Sequence, residues 1–176
     1  GLDHDQFYRQ LERLDLYDQA IETLKKKGRL YSCYETREEL DMKRKLQLSR
    51  NLPPKYDRSA LNLSEQEKRA YEQQGRTPHW RLKLTDDTVT WEDMIHGRIS
   101  FEGSQLSDPI LIREDGRPIY TLSSVVDDLD MGVTHIIRGD DHIANTAVQI
   151  QLIEALGHDK NTFTYAHTPW IIAADG

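Results

Sequence analysis

The chain has 176 residues, of which 37% are hydrophobic and 30% charged, and its formal net charge is −7. No apolar run approaches the ~20 residues of a membrane span, and the first ten residues lack a signal-peptide core, so we expect a cytoplasmic protein without a membrane partner. The acidic balance argues against a protein that coats nucleic acid non-specifically. The only cysteine, Cys33, excludes an intrachain disulfide. Without Cys or His partners at ligand spacing it predicts no zinc site, and we expect it to be half-buried.

The first predicted elements are a helix and a short strand. From Leu14 to Lys27 the apolar residues recur at helical spacing, lysines fill the last turn, and Gly28 follows. Lysines suit the negative end of the helix dipole and glycine suits a C-cap, so the helix should end there. The run "RLYSCY" after it predicts a strand.

Two polar helices come next. Thr36 and Glu39 have the spacing of a capping box, and prolines at 53 and 54 should end the helix that they begin. A second capping box at Ser64 and Glu67 begins a helix that should end at Gly75.

Four short strands separated by turn residues are then predicted, in the runs "HWRLKL", "TVTWED", "RISFEG" and "PILIRED". The run "REDGRP" after them is a hairpin signal. We therefore predict that residues 37–118 form an α+β module of their own.

The start of this module is locally basic. Residues 43–58, "KRKLQLSRNLPPKYDR", contain six basic residues and one acid inside an acidic chain. Such a segment is either a phosphate-binding patch or a solvated helix face followed by a polar loop, and the sequence favours neither interpretation.

The last third alternates helices and strands. Apolar residues from Leu122 to Leu129 predict a short amphipathic helix. The β-branched run "VTHIIR" predicts a buried strand, Asn145 or Thr146 should cap the next helix, and "TFTYAH" predicts another strand. This alternation predicts an α/β fold with a parallel sheet and right-handed crossovers.

Arg138 lies at the end of the strand predicted in "VTHIIR". In open parallel sheets, ligands bind outside the carboxyl ends of strands, where loops lead into helix N-termini that favour anions. A guanidinium there can hold a carboxylate or phosphate in a bidentate fork. Asp140, Asp141 and His142 follow it and can accept hydrogen bonds from ribose hydroxyls or an amino group.

Two other interpretations of these residues stay open. Arg138 could instead have a structural role, paired with a carboxylate, and the sequence weighs the two roles equally. The neighbouring carboxylates are Asp127, Asp128, Asp140 and Asp141. A metal site that adds His135 and His142 is the weaker interpretation, because consecutive loop residues rarely converge on one ion. The residues alone thus indicate an α/β ligand-binding protein with an inserted, partly basic module.

The run "RPIYTLSSVVDDLDMGVTHIIRGDDHIANTAVQIQLIEALG" closely resembles the central segment of bacterial glutamyl-tRNA synthetases, class I aminoacyl-tRNA synthetases that activate glutamate with ATP and transfer it to tRNA. The runs "GRLYSCYETREELDMKRKLQLSRNLPPKYDR" and "HTPWIIAADG" resemble the same family. The resemblance implies a Rossmann-type catalytic domain in residues 1–36 and 119–176, interrupted by a module at 37–118 that holds the acceptor end of tRNA.

By position in the family's motifs, Tyr120 and Arg138 match residues that bind the substrate glutamate. Ser124 stands where many members have Asn. The positions that match the nucleotide-binding residues are Asp141, His142 and Ile171. The residues that the resemblance places near the tRNA acceptor end are Lys43, Arg44, Lys45 and Arg50.

The resemblance also implies what the chain lacks. The family's HIGH-like motif belongs before residue 1 and its KMSKS-like loop after residue 176, so we expect an internal fragment that contains no catalytic residue and is inactive alone. The implied substrates are glutamate, tRNA, and ATP with Mg²⁺. No zinc is expected, and the implied protein is a monomer.

Three alternatives remain open. The first is a truncated paralogue that glutamylates a modified tRNA base, although it usually carries zinc-binding cysteines. The second is glutaminyl-tRNA synthetase, whose counterpart of the "RGDDH" loop lacks this arrangement. The third is an acceptor-end binding module without catalysis.

Overall fold

The computed structural model describes residues 3–4 and 6–169. Its helices are α1 (Leu14–Lys26), α2 (Arg37–Ser49), α3 (Glu65–Gln73), α4 (Tyr120–Asp130) and α5 (Ile143–Leu156). Its strands are β1 (Leu30–Cys33), β2 (His79–Leu82), β3 (Thr88–Asp93), β4 (Gly97–Glu102), β5 (Ile110–Ile112), β6 (His135–Gly139) and β7 (Thr164–Thr168). None of the helices within these ranges is long and apolar enough to cross a membrane.

The strands form two sheets. The first is antiparallel, with the order β1-β2-β5, and the second is mixed, with the order β4-β3-β7-β6. In the second sheet β7 runs parallel to both β3 and β6, whereas β3 and β4 form an antiparallel hairpin. Helix α5 connects β6 to its parallel neighbour β7, which confirms the prediction of an α/β fold with parallel strands.

Strands of the predicted module are hydrogen-bonded to strands outside it. β2 of the segment 37–118 pairs with β1, and β3 of the same segment pairs with β7. The division at residues 37 and 118 stays a prediction. Because of this pairing, the segment contributes directly to the sheet that carries Arg138.

Local sequence signals gave the starts of α2 and α3 and the end of α1, whereas α2 ends at Ser49, before the prolines that were predicted to end it. Both capping boxes are present, with Thr36 accepting a hydrogen bond from the Glu39 backbone and Ser64 from the Glu67 backbone. Helix α1 ends within one residue of the predicted stop, and Gly28 after it has a φ of 64°, in the left-handed region.

Three local predictions were wrong. β6 is not buried, because it lies at the edge of its sheet, and Ile137 is 68% exposed. Neither Asn145 nor Thr146 caps α5, which begins at Ile143 without a side-chain cap, so both residues lie within the helix. Cys33 is fully buried rather than half-buried, because it packs against Tyr56 from the loop that follows α2.

The main hydrophobic core lies between the helices and the two sheets. Fully buried side chains from α1, α4 and α5, such as Leu24, Leu122 and Ile153, pack against strand residues such as Leu82 and Tyr165. This packing fixes α4 and α5 beside β6 and β7, so that the start of each helix lies near the ends of these strands.

Candidate functional site

The carboxyl ends of β6 and β7 lie side by side, with Arg138 opposite His167 in the parallel register. After β6 the chain makes a short 3₁₀ turn, Asp140–His142, and enters α5 directly. The first residue of α4, Tyr120, contacts this turn, since its ring packs edge-on against His142 with 6.0 Å between ring centroids. The predicted site residues of α4, β6 and the turn are therefore brought together.

The Arg138 guanidinium is bound by neutral groups. Its Nη2 atom lies 2.6 Å from Thr146 Oγ1 and 2.6 Å from Gln149 Oε1, both on α5. Its Nε atom is buried without a partner, and Nη1 bonds to no described residue. A guanidinium can bind a carboxylate through two parallel N–H groups, either with Nη1 and Nη2 or with Nε and Nη2. Both arrangements need Nη2, whose two hydrogens already bond to Thr146 and Gln149. The group available to a ligand is therefore Nη1.

No carboxylate within the described ranges forms an ion pair with Arg138. Asp127 pairs with Arg13 at 2.8 Å, and Asp140 lies 2.8 Å from His96. Burial, and secondly the charge of Asp127, raise the pKa of Asp128, an effect that the charge of Arg138 opposes. Arg138 consequently keeps a positive charge without a direct counter-ion, which is what recognition of an anion requires.

Gln149 connects Ser124, the second residue of α4 assigned to the site, with Arg138. Its Nε2 atom donates to Ser124 Oγ at 3.0 Å while its Oε1 accepts from Arg138. Sequence reasoning missed Gln149, which is 3% exposed. A signal was available, because a glutamine in an otherwise apolar buried helix has to find hydrogen-bond partners.

The turn after β6 holds the residues predicted to face a nucleotide. The Asp141 carboxylate folds back so closely that a Cβ at Gly139 would lie 2.6 Å from Asp141 Oδ1. His142 Nδ1 lies 3.2 Å from the Asn145 amide. Asp140 pairs with His96 of the β3–β4 turn, and the hydrogen bond raises the pKa of His96. The remaining predicted residue, Ile171, is outside the described residues.

A buried hydrogen-bonded pair lies behind Arg138. Asp93 Oδ2, at the end of β3, is 2.5 Å from Nδ1 of His167 on β7, and both side chains are fully enclosed. Burial alone would raise the pKa of Asp93. Hydrogen bonds from His167 and from the backbone N–H groups of Ile95 and His96 outweigh that effect and lower it to about 2. No sequence pattern predicted this pair, because 74 positions separate its members.

One cluster of metal-ligand types does occur. Ligand atoms of Cys33, Glu35 and His79 lie within 4.8 Å of one another, and in the described part of the chain no other such group of three was found. The sequence has no Cys or His at ligand spacing from Cys33, but the pairing of β1 with β2 brings His79 beside it. The weaker metal interpretation at Asp140–His142 gains no support.

The fit of this cluster to a metal ion is poor. Burial raises the pKa of the Cys33 thiol to about 11. Glu35 Oε1 already accepts hydrogen bonds from Tyr56 and Ser59, with the Lys43 ammonium 3.5 Å away. Glu35 Oε2 and His79 Nε2 are buried without a hydrogen-bond partner among the described residues, so two ligand atoms are free. An ion would nevertheless need the Cys33 thiolate, and it would face the charge of Lys43.

The basic segment 43–58, which covers the second half of α2 and the loop after it, is divided between two roles. Lys43 points inward, with Nζ 2.8 Å from Ser59 Oγ and 3.0 Å from Asp57 Oδ2. Arg44, Lys45 and Arg50 are exposed. The exposed cations of the patch are therefore these three, whereas Lys43 joins α2 to the loop after it.

The chain was compared with known proteins. The family described as tRNA synthetases class I (E and Q), catalytic domain, matches residues 1–175. Glutamate–tRNA ligase 1 of Maricaulis maris (strain MCS10) is 52% identical over 176 residues, which is 100% of this chain and 39% of that protein. Glutamate–tRNA ligase 2 of Methylorubrum populi is 54% identical over 176 residues, with the same coverage. This chain thus spans 39% of the length of each relative.

Solved structures give the same result. A glutamate tRNA ligase from Elizabethkingia meningosepticum CCUG26117, in complex with its amino acid, superposes with a TM-score of 0.84 at 30% identity over 98% of this chain and 35% of that chain. The glutamate–tRNA synthetase from Elizabethkingia anophelis superposes with a TM-score of 0.86 at 30% identity over 99% of this chain and 36% of that chain. These similarities confirm the predicted Rossmann-type α/β fold.

Proposed function

Because the chain belongs to the family of class I tRNA synthetases for glutamate and glutamine, as part of their catalytic domain, we propose that the protein carrying it is a glutamate–tRNA ligase. This enzyme would activate glutamate with ATP and transfer it to tRNA. The observation that carries the proposal is Arg138, a cation without a described carboxylate partner at the end of a parallel strand. Its Nη1, which bonds to no described residue, suits a carboxylate of glutamate.

We assign the neighbouring residues to the remaining contacts with the amino acid and with ATP. Tyr120, at the start of α4, offers a hydroxyl to the bound amino acid, and Ser124 lies one turn further on, oriented by Gln149. Asp141 and His142, in the turn before α5, and Ile171 would contact ATP. Magnesium bound with ATP would neutralise phosphate charge, and no residue of this site is assigned to it.

The exposed cations Arg44, Lys45 and Arg50 would contact phosphates at the acceptor end of tRNA. Lys43 supports them by holding α2 against the following loop. We further propose that the protein is cytoplasmic, monomeric and free of structural zinc. Elemental analysis of protein purified without chelators tests the last point, and one zinc per chain would contradict it.

Aminoacylation by the complete protein tests the main proposal. Labelled glutamate or glutamine is supplied with ATP and with native tRNA purified from cells, which retains its modified bases, and we expect glutamate alone to be attached. Ribonuclease digestion should release the label as glutamyl-adenosine, because glutamate is joined to the terminal ribose. Label released on an internal nucleotide would indicate the base-modifying paralogue. Tight tRNA binding without any attachment would indicate an acceptor-end binding module.

A further inference from the structure

A chain of hydrogen bonds connects Arg138 to the buried carboxylate of Asp93. We infer that Asp93 and His167, acting through Thr146, are positioning residues that orient the Arg138 guanidinium for a carboxylate ligand. This inference rests on the proposed function, since it assigns supporting residues to the same amino-acid site. Asp93 lies in the segment predicted to be an insertion, so the inference also makes that segment a part of the glutamate site.

The geometry is continuous from one end to the other. Asp93 Oδ2 lies 2.5 Å from His167 Nδ1, His167 Nε2 lies 2.8 Å from Thr146 Oγ1, and Thr146 Oγ1 lies 2.6 Å from Arg138 Nη2. Asp93 is 4% exposed, and His167 and Thr146 are inaccessible. The three residues come from β3, β7 and α5, so only the tertiary fold brings them together.

The charge of Asp93 sets the direction of every hydrogen bond in this chain. An ionised Asp93 can only accept, so Nδ1 of His167 carries a hydrogen, and in the neutral imidazole Nε2 is then left as an acceptor. The Thr146 hydroxyl donates its single hydrogen to this Nε2 at 2.8 Å, in preference to the carbonyl oxygen of His142 at 3.3 Å, and offers only lone pairs to Arg138. This is the arrangement in which Thr146 is the best acceptor for a guanidinium, comparable to a carboxylate that fixes a histidine tautomer in a hydrolase triad.

The arrangement orients Arg138 without cancelling its charge. A carboxylate in direct contact would hold the guanidinium equally well but would compete with the substrate for it. Thr146 and Gln149 are neutral acceptors, and Asp93 acts across two neutral groups. If this network served only stability, Asp93 could contact Arg138 directly instead of through His167 and Thr146.

The matched pair Thr146→Val and Thr146→Ser tests this role in the complete protein. Valine has nearly the shape of threonine but cannot bind Arg138 or His167, whereas serine keeps the hydroxyl. With saturating ATP and tRNA, Thr146→Val should raise the KM for glutamate by about tenfold, the usual effect of losing one hydrogen bond to a charged group. The KM for ATP should change by less than about twofold, and Thr146→Ser should stay close to wild type.

Asp93→Asn provides a second variant and Asp108→Asn its control. The side-chain amide that replaces the Asp93 carboxylate would donate to Nδ1, which moves the histidine hydrogen to Nε2 and turns the Thr146 hydroxyl away from it. The KM for glutamate should rise again by about tenfold. Asp108 is an equally buried carboxylate, but it binds Arg58 and Tyr31 near the other sheet. Its variant should melt earlier with an unchanged KM for glutamate.

A double-mutant cycle separates positioning from general damage. In an Arg138→Ala background, Thr146→Val should have no further effect on the KM for glutamate, because its effect acts through Arg138. A folded Thr146→Val enzyme with the wild-type KM would overturn the inference, as would equal effects with and without Arg138. If Asp93→Asn fails to fold, the variants Thr146→Val and Thr146→Ser still test the inference. A wild-type protein that attaches no glutamate would instead refute the proposed function.

Discussion

Replacing Arg138 by alanine removes the one cation at the end of β6 that has no described carboxylate partner. A hydrogen bond to a charged group contributes about 1.5–3 kcal/mol, and each 1.4 kcal/mol corresponds to a factor of ten in affinity. Loss of the contact between Nη1 and a glutamate carboxylate should therefore raise the KM for glutamate by about 10- to 100-fold. The variant also removes the donor to Thr146 Oγ1 and Gln149 Oε1, which should lower the melting temperature slightly.

The assay is aminoacylation by the complete protein, with glutamate varied at saturating ATP and tRNA, and then ATP varied at saturating glutamate. The KM for ATP should move much less than that for glutamate, because the nucleotide contacts are assigned to Asp141, His142 and Ile171. Arg138→Lys should recover only part of the loss. A single ammonium cannot bind Thr146, Gln149 and a ligand in the planar geometry of the guanidinium.

Arg117→Ala is a suitable control, because its side chain is 83% exposed and pairs only with Asp115 in the same turn. It should leave both KM values unchanged. If Arg138→Ala binds glutamate normally and merely melts earlier, Arg138 has a structural role and the argument from the strand end is wrong.

Three further predictions concern the rest of the chain. The isolated 176-residue chain should show no glutamate-dependent ATP–pyrophosphate exchange, even with tRNA present, because the resemblance places both ATP signature motifs outside it; measurable exchange would contradict this. Replacing Arg44, Lys45 and Arg50 together by alanine should weaken tRNA binding and reduce the slope of log K against log salt by up to about three. Lys43→Ala should instead lower the melting temperature, and an unchanged slope in the triple variant would favour a solvated helix face. Burial lowers the pKa of His79 to about 4. Between pH 6.5 and 4 the unfolded chain therefore binds a proton at His79 that the folded chain does not bind, and the free energy of unfolding decreases as the pH falls. A His79→Asn variant should lose that part of the pH dependence of the unfolding free energy, and identical pH profiles would show that His79 titrates normally.

The sequence predicted those features that local chemistry determines. Capping boxes, glycines after helices and the period of apolar residues act within a few positions, so the starts of α2 and α3 and the end of α1 could be predicted directly. Arg138 was a prediction of the same kind, because a strand followed at once by a helix defines a strand end. The exposure of β6 could not be predicted in this way, because it depends on the order of strands in the sheet. That order is determined by pairing between residues far apart in the sequence.

The residues that hold Arg138 show where a stronger sequence signal existed. Most residues of helix α5 are apolar, and the polar residues Thr146, Gln149 and Gln151 are buried within it. A buried polar group has to be hydrogen-bonded, so each of these residues marks a partner outside the helix. Gln151 accepts from the Thr85 backbone at 2.7 Å, and the other two accept from Arg138. The sequence thus contained the acceptors, but only the fold assigns each of them to its donor, and only the fold places Asp93 behind them.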